Sequence, residues 1–446
     1  MAANDTSFPS LSRILSIGAE TGWVLFGQAG MAAGAIFTVK ILTAFLGPAE
    51  FGRLMLANTL ILAVSAQVFG PLAQGVMRFW SVSRDQGIQD VFLVHCHKYN
   101  VLLTSCILAI GVPACGVVCL VFGVKWGVPA ILALMAGVCT GWTGTRLAVL
   151  MAARDRKTVA LALTAAAFFK PLAGMGLVLL FYPEASWVLF GYLIATGVML
   201  LVIEKIYRKR IGVVETAGTG SASSKGRGLG KDIISYALPF FIWGVFGWIN
   251  ESCDRWALQG YFGEEVVGAF SVVSQLSVYP LILISGFLGM LFSPIAYERA
   301  GSLVSPNGMR NANRLLFIME SIYILFAFCL ILIYCIFHEY VVVLISNSSY
   351  AGLSWMLPYL TAAWTLYYFG QTLTGYGMLA NRPRVYILPK ITTSIIAVSL
   401  CLILPSIFGP FGIVLALVAS GFVYSLWCLS IAFYLTKHTL SFVKKG

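Results

Sequence analysis

Charged side chains inside long apolar stretches are the residues of this sequence best placed to do chemistry. Lys170 lies near the middle of the apolar stretch Val159–Phe181 and is followed by Pro171, which tends to kink a helix. An ionisable group at that depth in a membrane costs about 3 kcal/mol unless it faces protein or water, and it often marks a functional site. Lys170 is therefore suited to attracting an anionic group. A lysine that only pairs with a carboxylate, or reaches the interface, is the alternative.

Further polar residues accompany Lys170. Three basic residues lie at or just inside the ends of other apolar stretches, where they either extend a basic funnel or anchor helices at the interface. Uncharged amides within apolar stretches either line a hydrated cavity or hydrogen-bond between helices. The residues predicted to contribute to a substrate-binding cavity are Lys170, Arg78, Arg146, Lys390, Gln28, Gln67 and Asn250.

Carboxylates in or beside apolar stretches are candidates for holding a proton or Na⁺, and a structural salt bridge is the alternative for each. Asn250 and Asp254 lie four residues apart, which places them on one face of a helix. Glu251 is expected to lie deeper in the membrane than Asp254. The predicted ion-coupling residues are Glu20, Glu251, Asp254 and Glu320.

Motifs of soluble enzymes are missing from the sequence. It contains no GxxxxGK[ST] phosphate loop, no HExxH zinc motif and no GxSxG nucleophile turn. His95 and His97 lie two residues apart and do not share a helix face, which argues against a metal site. We therefore predict no catalytic residue, no bound metal and no cofactor.

The apolar stretches are long enough to cross a membrane. The sequence is 59% hydrophobic and 10% charged, whereas soluble domains are about one quarter charged. Because about 20 apolar residues cross the hydrocarbon core, the predicted fold is all-α, a polytopic membrane protein with about twelve transmembrane helices and no separate soluble domain. The predicted spans are Thr21–Leu42, Leu54–Val76, Tyr99–Phe122, Val128–Leu150, Val159–Phe181, Trp187–Tyr207, Ile233–Leu258, Val266–Phe292, Leu315–Phe337, Leu357–Leu379, Tyr386–Ile407 and Phe411–Leu435.

The distribution of basic residues predicts the orientation of these spans. If the spans alternate across the membrane, 24 of the 29 Lys and Arg residues fall on one side, 4 fall on the other and Lys170 lies between. Cytoplasmic loops are enriched in Lys and Arg, so the side with 24 is predicted to be cytoplasmic, with both termini on it. The net charge of +12 then reflects topology, and no nucleic acid partner is expected. We call the opposite side the outer side.

The spans divide into two sets of six. The predicted domains are an N-terminal six-helix lobe (1–207), a basic cytoplasmic linker rich in Gly and Ser (208–232) and a C-terminal six-helix lobe (233–446). Gly47 and Gly52 recur as Gly263 and Gly268, 216 residues later, in the matching outer turn of the second half. This register favours a parallel duplication in which two lobes rock about a central site. Pairs with GxxxG spacing predict close helix crossings at Gly30/Gly34 and Gly137/Gly141.

These features resemble the polysaccharide-transporter family of the multidrug/oligosaccharidyl-lipid/polysaccharide exporter (MOP) superfamily, whose members are O-antigen and exopolysaccharide flippases. The resemblance covers nearly the whole chain. It rests on twelve spans in two halves, on the segment Lys40–Gly52 with its Leu-Gly-Pro-Ala-Glu-Phe-Gly turn, and on Asp254-Arg255-Trp256 leading to Gly268.

The resemblance implies translocation of an undecaprenyl-diphosphate-linked oligosaccharide across the inner (cytoplasmic) membrane of a bacterium by alternating access. The product would be a surface polysaccharide: O-antigen of lipopolysaccharide, capsule or exopolysaccharide. Lys170, Arg78 and Arg146 would attract the diphosphate, because Coulomb attraction is strong in a cleft of low dielectric constant. The implied partners are the lipid-linked oligosaccharide, membrane lipids and, in assembly, a polysaccharide polymerase and related proteins.

Two alternatives stay open. A drug/cation antiporter of the same superfamily shares the twelve spans, but its pocket would favour acidic residues, whereas the deepest charge here is a lysine. A membrane enzyme of polysaccharide assembly, such as a polymerase or ligase, usually has a sizeable outer loop with catalytic residues. The longest predicted outer loop, Glu339–Trp355, contains a single acidic residue. Peptidoglycan-precursor flippases resemble the chain as well, but have fourteen spans.

Overall fold

The protein is described here by a computed structural model that covers residues 11–212, 228–300, 306–380 and 382–442. In these ranges the regular elements are helices and none is a strand, which confirms the all-α prediction. Helices suit this composition, because they satisfy all backbone hydrogen bonds within one segment in lipid. The α-helices are α1 (Leu11–Phe45), α2 (Pro48–Leu62), α3 (Gly70–Asp85), α4 (Gln89–Phe122), α5 (Val124–Ala152), α6 (Arg156–Leu180), α7 (Ala185–Ile211), α8 (Leu229–Ala300), α9 (Pro306–Ile345), α10 (Leu357–Thr372), α11 (Thr374–Leu379), α12 (Ile387–Phe408) and α13 (Phe411–Phe442).

Ten helical segments of the described ranges are long and apolar enough to cross a membrane. One of them joins α2 and α3 into a single span, and another is α8, whose 72 residues form two helices that meet at Gly263. Gly263 has a φ of +79°, a conformation that glycine adopts readily. The shorter helices α10 and α11 follow a 3₁₀ turn at Ser348–Met356 and coincide with the predicted span Leu357–Leu379, although they are not among the ten segments. The two helices of α8 correspond to the two predicted spans Ile233–Leu258 and Val266–Phe292.

Two spans contain irregular turns that the apolar pattern does not predict. In the second span, a π-helical turn at Ala63–Val68 separates α2 from α3. In α9, the backbone leaves helical geometry at Phe337. By contrast, α6 runs without interruption and includes Pro171, so Lys170 and Pro171 lie within one continuous helix.

The two halves repeat one packing arrangement. In the first lobe (α1 to α7), the fifth span α6 packs against α1 and α7. In the second lobe (α8 to α13), the eleventh span α12 packs against α8 and α13. The α8 contact includes its first segment, where Ser394 Oγ donates a hydrogen bond of 2.7 Å to Phe246 O. Equivalent spans therefore have equivalent neighbours, which fits the predicted two-lobe arrangement. Most of the predicted linker, residues 213–227, lies outside the described ranges.

The lobes meet along the second and seventh spans. Trp248 Nε1 donates a hydrogen bond of 2.8 Å to Thr59 O, and Trp256 Nε1 donates one of 3.1 Å to Thr59 Oγ1. Nearer the predicted cytoplasmic end, a Cβ on Gly244 would lie 2.3 Å from Gln67 Oε1. The first segment of α8 therefore packs at Gly244 against the Gln67 side chain of the π-helical turn.

Candidate functional site

The two matching turns of the sequence repeat face each other across the seam between the lobes. A Cβ on Gly52 would lie 2.0 Å from Glu264 O, and a Cβ on Gly268 would lie 1.9 Å from Pro48 O. Ordinary contacts of a Cβ begin at 3.4 Å, so neither position has room for a side chain. This pair of glycines brings the backbones of the two lobes into direct contact at the predicted outer end.

An ion-pair cluster joins the same turns. Arg53 is only 3% exposed; its Nη1 lies 2.6 Å from Glu50 Oε1, and its Nη2 bonds to Glu264 of the second lobe. The second oxygen of Glu50 accepts a hydrogen bond of 2.9 Å from the Ala185 amide at the start of α7. Two carboxylates thus balance the charge of Arg53, which links the lobes.

Side chains of both lobes strengthen this closure. Each of three donates a hydrogen bond to a main-chain oxygen of the opposite lobe: Lys40 to Leu344 (2.7 Å), Asn347 to Thr43 (2.5 Å) and Tyr350 to Leu46 (2.7 Å). All lie in the parts of α1, α9 and their following turns that belong to the predicted outer end. The lobes are therefore held together at that end in this conformation.

Lys170 lies in a pocket of about 210 Å³ in the first lobe. Thr38, Asn58 and Tyr192 provide the other polar groups of the pocket, and most of the remaining lining is small and apolar. Lys170 is partly exposed, and among the described residues no carboxylate forms an ion pair with it. The pocket thus combines an unbalanced positive charge with neutral hydrogen-bonding groups.

Close helix packing positions this pocket and confirms the crossings predicted from GxxxG spacing. A Cβ on Gly30 would lie 2.2 Å from Thr164 Oγ1, and one on Gly34 would lie 2.5 Å from the Ala167 Cβ, so α1 lies directly against α6. The other pair, on α5, meets the second span in the same way: Gly137 contacts Val64 and Gly141 contacts Phe69. The glycines of α1 therefore bring Thr38 beside Lys170.

Lys390 lies in the second lobe and is 2% exposed. Its Nζ donates a hydrogen bond to Tyr367 Oη. The same atom lies 5.5 Å from the ring centroid of Trp243, 4.4 Å from that of Tyr367 and 5.5 Å from that of Tyr424. These rings come from α8, α10 and α13, so four helices meet at the ammonium group of Lys390.

Glu251 faces Lys390 from the first segment of α8. Its carboxylate interacts with Lys390 and with Arg255, and Glu251 is nevertheless exposed. Glu251 thus combines an accessible side chain with positively charged neighbours inside the lobe. Asn250 and Asp254 are 1% and 0% exposed, which places their shared helix face inside the protein.

The remaining predicted ion-coupling residues are dispersed. Glu320 is 4% exposed on α9 and accepts a hydrogen bond of 2.7 Å from Thr372 Oγ1. Within the described part of the chain, Glu320 Oε1 and Asp254 Oδ2 are buried without a hydrogen-bond partner. Glu20 belongs to α1, but its side chain is outside the described residues.

Arg146 is neutralised within the first lobe. Its Nε lies 2.8 Å from Glu204 Oε2, and its guanidinium carbon lies 4.3 Å from the ring centroid of Tyr207 and 5.6 Å from that of Trp142. Glu204 also binds Arg208 on α7. Arg146 therefore connects α5 to α7, and its charge is compensated.

The other predicted binding residues occupy separate places. Arg78 is exposed on α3, Gln28 is exposed on α1, and Gln67 lies at the seam beside Gly244. Asn250 interacts with Tyr367, close to Lys390. The structure thus joins Asn250, Glu251 and Lys390 in the second lobe and leaves Lys170 in a pocket of the first.

Sequence reasoning did not identify Glu204, Trp243 or Tyr424 as partners of the basic residues. One signal was available in the sequence. Both lysines lie beside a proline in the fifth span of their half, as Lys170-Pro171 and as Pro389-Lys390, which invites a comparison of their surroundings.

The fold of this chain recurs in solved structures. No protein-family model matches the sequence, and no curated protein matches it. The chain is similar to an inward-facing multidrug resistance MATE family transporter of the MOP superfamily (TM-score 0.69, 18% identity, 91% of this chain and 95% of that one). It is similar to the lipid II flippase MurJ in an inward closed conformation (TM-score 0.69, 14% identity, 94% of this chain and 91% of that one). It is also similar to an outward-facing multidrug resistance MATE family transporter (TM-score 0.64, 15% identity, 96% of this chain and 97% of that one). The chain therefore has the membrane-protein fold of the MATE transporters of the MOP superfamily and of MurJ.

Proposed function

We propose that this chain is a flippase that moves an undecaprenyl-diphosphate-linked oligosaccharide from the inner to the outer leaflet of a bacterial cytoplasmic membrane. The observation that carries the proposal is the pocket of Lys170. It holds a positive charge at membrane depth that no carboxylate of the described residues balances. Such a charge favours an anionic ligand, because leaving it unpaired in the membrane is costly.

Two other basic residues of the candidate site differ from Lys170, because each has a carboxylate partner. Arg53 is bound by Glu50 and Glu264, and Arg146 is bound by Glu204. Their charges are already compensated, whereas that of Lys170 is available to a diphosphate. Arg78, exposed on α3, would act earlier, by attracting the headgroup from the cytoplasmic side.

The closure of the predicted outer end supports alternating access. In this conformation the Gly52–Gly268 contact and the Arg53 cluster hold the lobes together at that end. The headgroup would enter from the cytoplasmic leaflet and reach Lys170. The lobes would then separate at the outer end, while the prenyl chain stays in lipid. Membrane lipids and a polysaccharide polymerase would be the partners of this cycle.

A cation antiporter is the second candidate, and Glu251 is the observation that favours it. An accessible carboxylate at membrane depth attracts cationic substrates as well as coupling ions. In this structure, however, the positive charges of Lys390 and Arg255 act on Glu251 from within the lobe, which makes the carboxylate less attractive to a cation. The anionic substrate is therefore the better supported of the two.

A deletion strain complemented with variants tests the proposal. We expect the deletion to trap lipid-linked repeat units on the inner leaflet and to remove surface polysaccharide. Wild type and Lys98→Ala, a control at an exposed lysine, should restore the polymer. Lys170→Ala should not restore it, although the protein is folded and inserted.

Two results would overturn the assignment. Normal surface polysaccharide in the Lys170→Ala strain would remove the proposed role of the lysine. Repeat units that reach the outer leaflet of the deletion strain but stay unpolymerised would identify the chain as an assembly enzyme instead.

A further inference from the structure

The surroundings of Lys390 form an aromatic cage. The rings of Trp243, Tyr367 and Tyr424 lie 5.5, 4.4 and 5.5 Å from Nζ, all within the distance of about 6 Å at which a cation is attracted to a ring face. Cages of this kind bind ammonium ligands in other proteins. Here the ammonium belongs to the chain itself, since Lys390 enters the cage from α12.

The cage also has the polar features of an ammonium site. Tyr367 Oη accepts a hydrogen bond from Nζ, which fixes the direction of the cation. The carboxylate of Glu251 interacts with the same ammonium and supplies the opposite charge. On the α8 side, Gly247 lies next to the lysine: a Cβ there would make ordinary contacts of 3.5 Å with Lys390 Cε and 3.8 Å with Nζ.

Glu251 is the accessible group beside this cage. Lys390, Tyr367 and Tyr424 are 2%, 2% and 0% exposed, whereas Glu251 is exposed and acts on the ammonium of Lys390. Once vacated, the cage would therefore lie beside an accessible carboxylate.

The corresponding span of the first lobe contains a lysine without such a cage. Lys170 also lies on the fifth span of its half and beside a proline. Its pocket, however, provides Tyr192 as the single aromatic residue and no carboxylate. Lys170 thus lies in a pocket without a cage, whereas Lys390 is enclosed by three rings. A general requirement for packing a buried lysine does not explain this difference.

We propose that the second lobe contains an organic-ammonium site, built by Trp243, Tyr367, Tyr424 and Glu251, which Lys390 fills as a built-in ligand. Because Lys390 occupies this site, it prevents organic cations from binding there in the second lobe. The inference deepens the proposed function, since it explains how the chain, with an accessible carboxylate, discriminates against cationic compounds in favour of an anionic substrate.

Chemical complementation tests the site directly. Lys390→Ala removes the side chain beyond Cβ, and n-propylammonium has the same carbon and nitrogen atoms as the part removed. We expect purified Lys390→Ala protein to bind n-propylammonium saturably, with a change in tryptophan fluorescence from Trp243. Binding should be at least tenfold weaker in wild type. It should also be at least tenfold weaker in Lys390→Met, in which an uncharged side chain of similar length fills the cage.

Controls separate the cage from non-specific effects. The double variant Lys390→Ala/Trp243→Phe should lose the fluorescence change, and 1-propanol, which lacks the charge, should bind at least tenfold more weakly than the ammonium. Lys170→Ala should show no saturable response to n-propylammonium. Equal responses to the alcohol and the ammonium, equal responses in wild type, or no binding by folded Lys390→Ala protein would each overturn the proposal.

A second readout applies if Lys390→Ala does not fold well. n-Propylammonium present during solubilisation should then raise the folded yield of this variant, measured by size-exclusion chromatography, and 1-propanol should not. A yield that n-propylammonium leaves unchanged would overturn the proposal. Because binding is measured without transport, these results are independent of the Lys170 test. If the cage binds n-propylammonium but the chain does not flip lipid-linked repeat units, the ammonium site is supported and the proposed function is refuted.

Discussion

Replacing Gly52 with alanine tests whether the glycine contact holds the lobes together at the outer end. The new Cβ would lie 2.0 Å from Glu264 O and 2.8 Å from Gly268 N. Both are main-chain atoms, so no side-chain rotation relieves the clash. Reaching the ordinary contact distance of 3.4 Å requires the two turns to separate by about 1.4 Å. That movement would also stretch the ion pair between Arg53 and Glu264.

The size of the effect follows from the cost of overpacking. Inserting a methyl group where there is no room costs about 1–3 kcal/mol. The penalty falls on the conformation in which the turns touch and is absent once the lobes separate. The equilibrium between the closed and open outer end should therefore shift towards the open state by a factor of about 5–150.

Double electron–electron resonance can measure this shift. Spin labels at Lys125 and Ser348, exposed residues at the predicted outer end of opposite lobes, report the distance between the lobes. Attaching the labels to genetically encoded non-cysteine residues avoids the ten native cysteines. We expect the distance distribution of Gly52→Ala to gain a longer component.

The matched control for this experiment lies in the same turn. Gly47→Ala places a Cβ with no atom within 4 Å, so its distance distribution should match that of wild type. The reasoning is refuted if folded Gly52→Ala protein gives the wild-type distribution, or if Gly47→Ala shifts it by the same amount.

Two further predictions concern structural roles in the first lobe. Arg146→Ala should reduce stability by about 1.5–3 kcal/mol, because Glu204 loses a buried charged partner; an unchanged unfolding midpoint in detergent, measured by scanning fluorimetry, would contradict this. Gly30→Leu should greatly reduce the monodisperse protein recovered by size-exclusion chromatography, because its side chain meets Thr164 at the crossing of α1 and α6. Gly22→Leu, on the same helix with open space at its Cβ, should be recovered at the wild-type level, and equal recovery of both variants would argue against the crossing.

Much of the fold follows from the sequence because span length is set by the thickness of the membrane. The predicted span Trp187–Tyr207 falls within α7, and Val159–Phe181 matches α6 except for Phe181, which follows the last residue of that helix. Local irregularities were not predictable from the apolar pattern. The π-helical turn at Ala63–Val68 consists of residues that also suit an ordinary helix, and its position beside Gly244 depends on α8.

The candidate site was predictable only in part. The sequence identified Lys170 in mid-span, Lys390 at or just inside the end of its span and Glu251 within the seventh span as candidate polar groups. It did not distinguish unpaired charged groups from paired ones. Arg146 and Lys170 were both predicted to bind substrate, yet Glu204 neutralises the first and no described carboxylate forms an ion pair with the second.

The sequence by itself determined that the chain is an all-α polytopic membrane protein and which glycines match between its halves. These properties depend on composition and spacing along a single helix. Only the tertiary structure decided that Gly52 and Gly268 touch, that an aromatic cage encloses Lys390 and that Lys170 faces a pocket. The physical reason is that hydropathy fixes the depth of a residue in the membrane. Its neighbours depend on the rotation of each helix and on side chains brought together from distant parts of the chain.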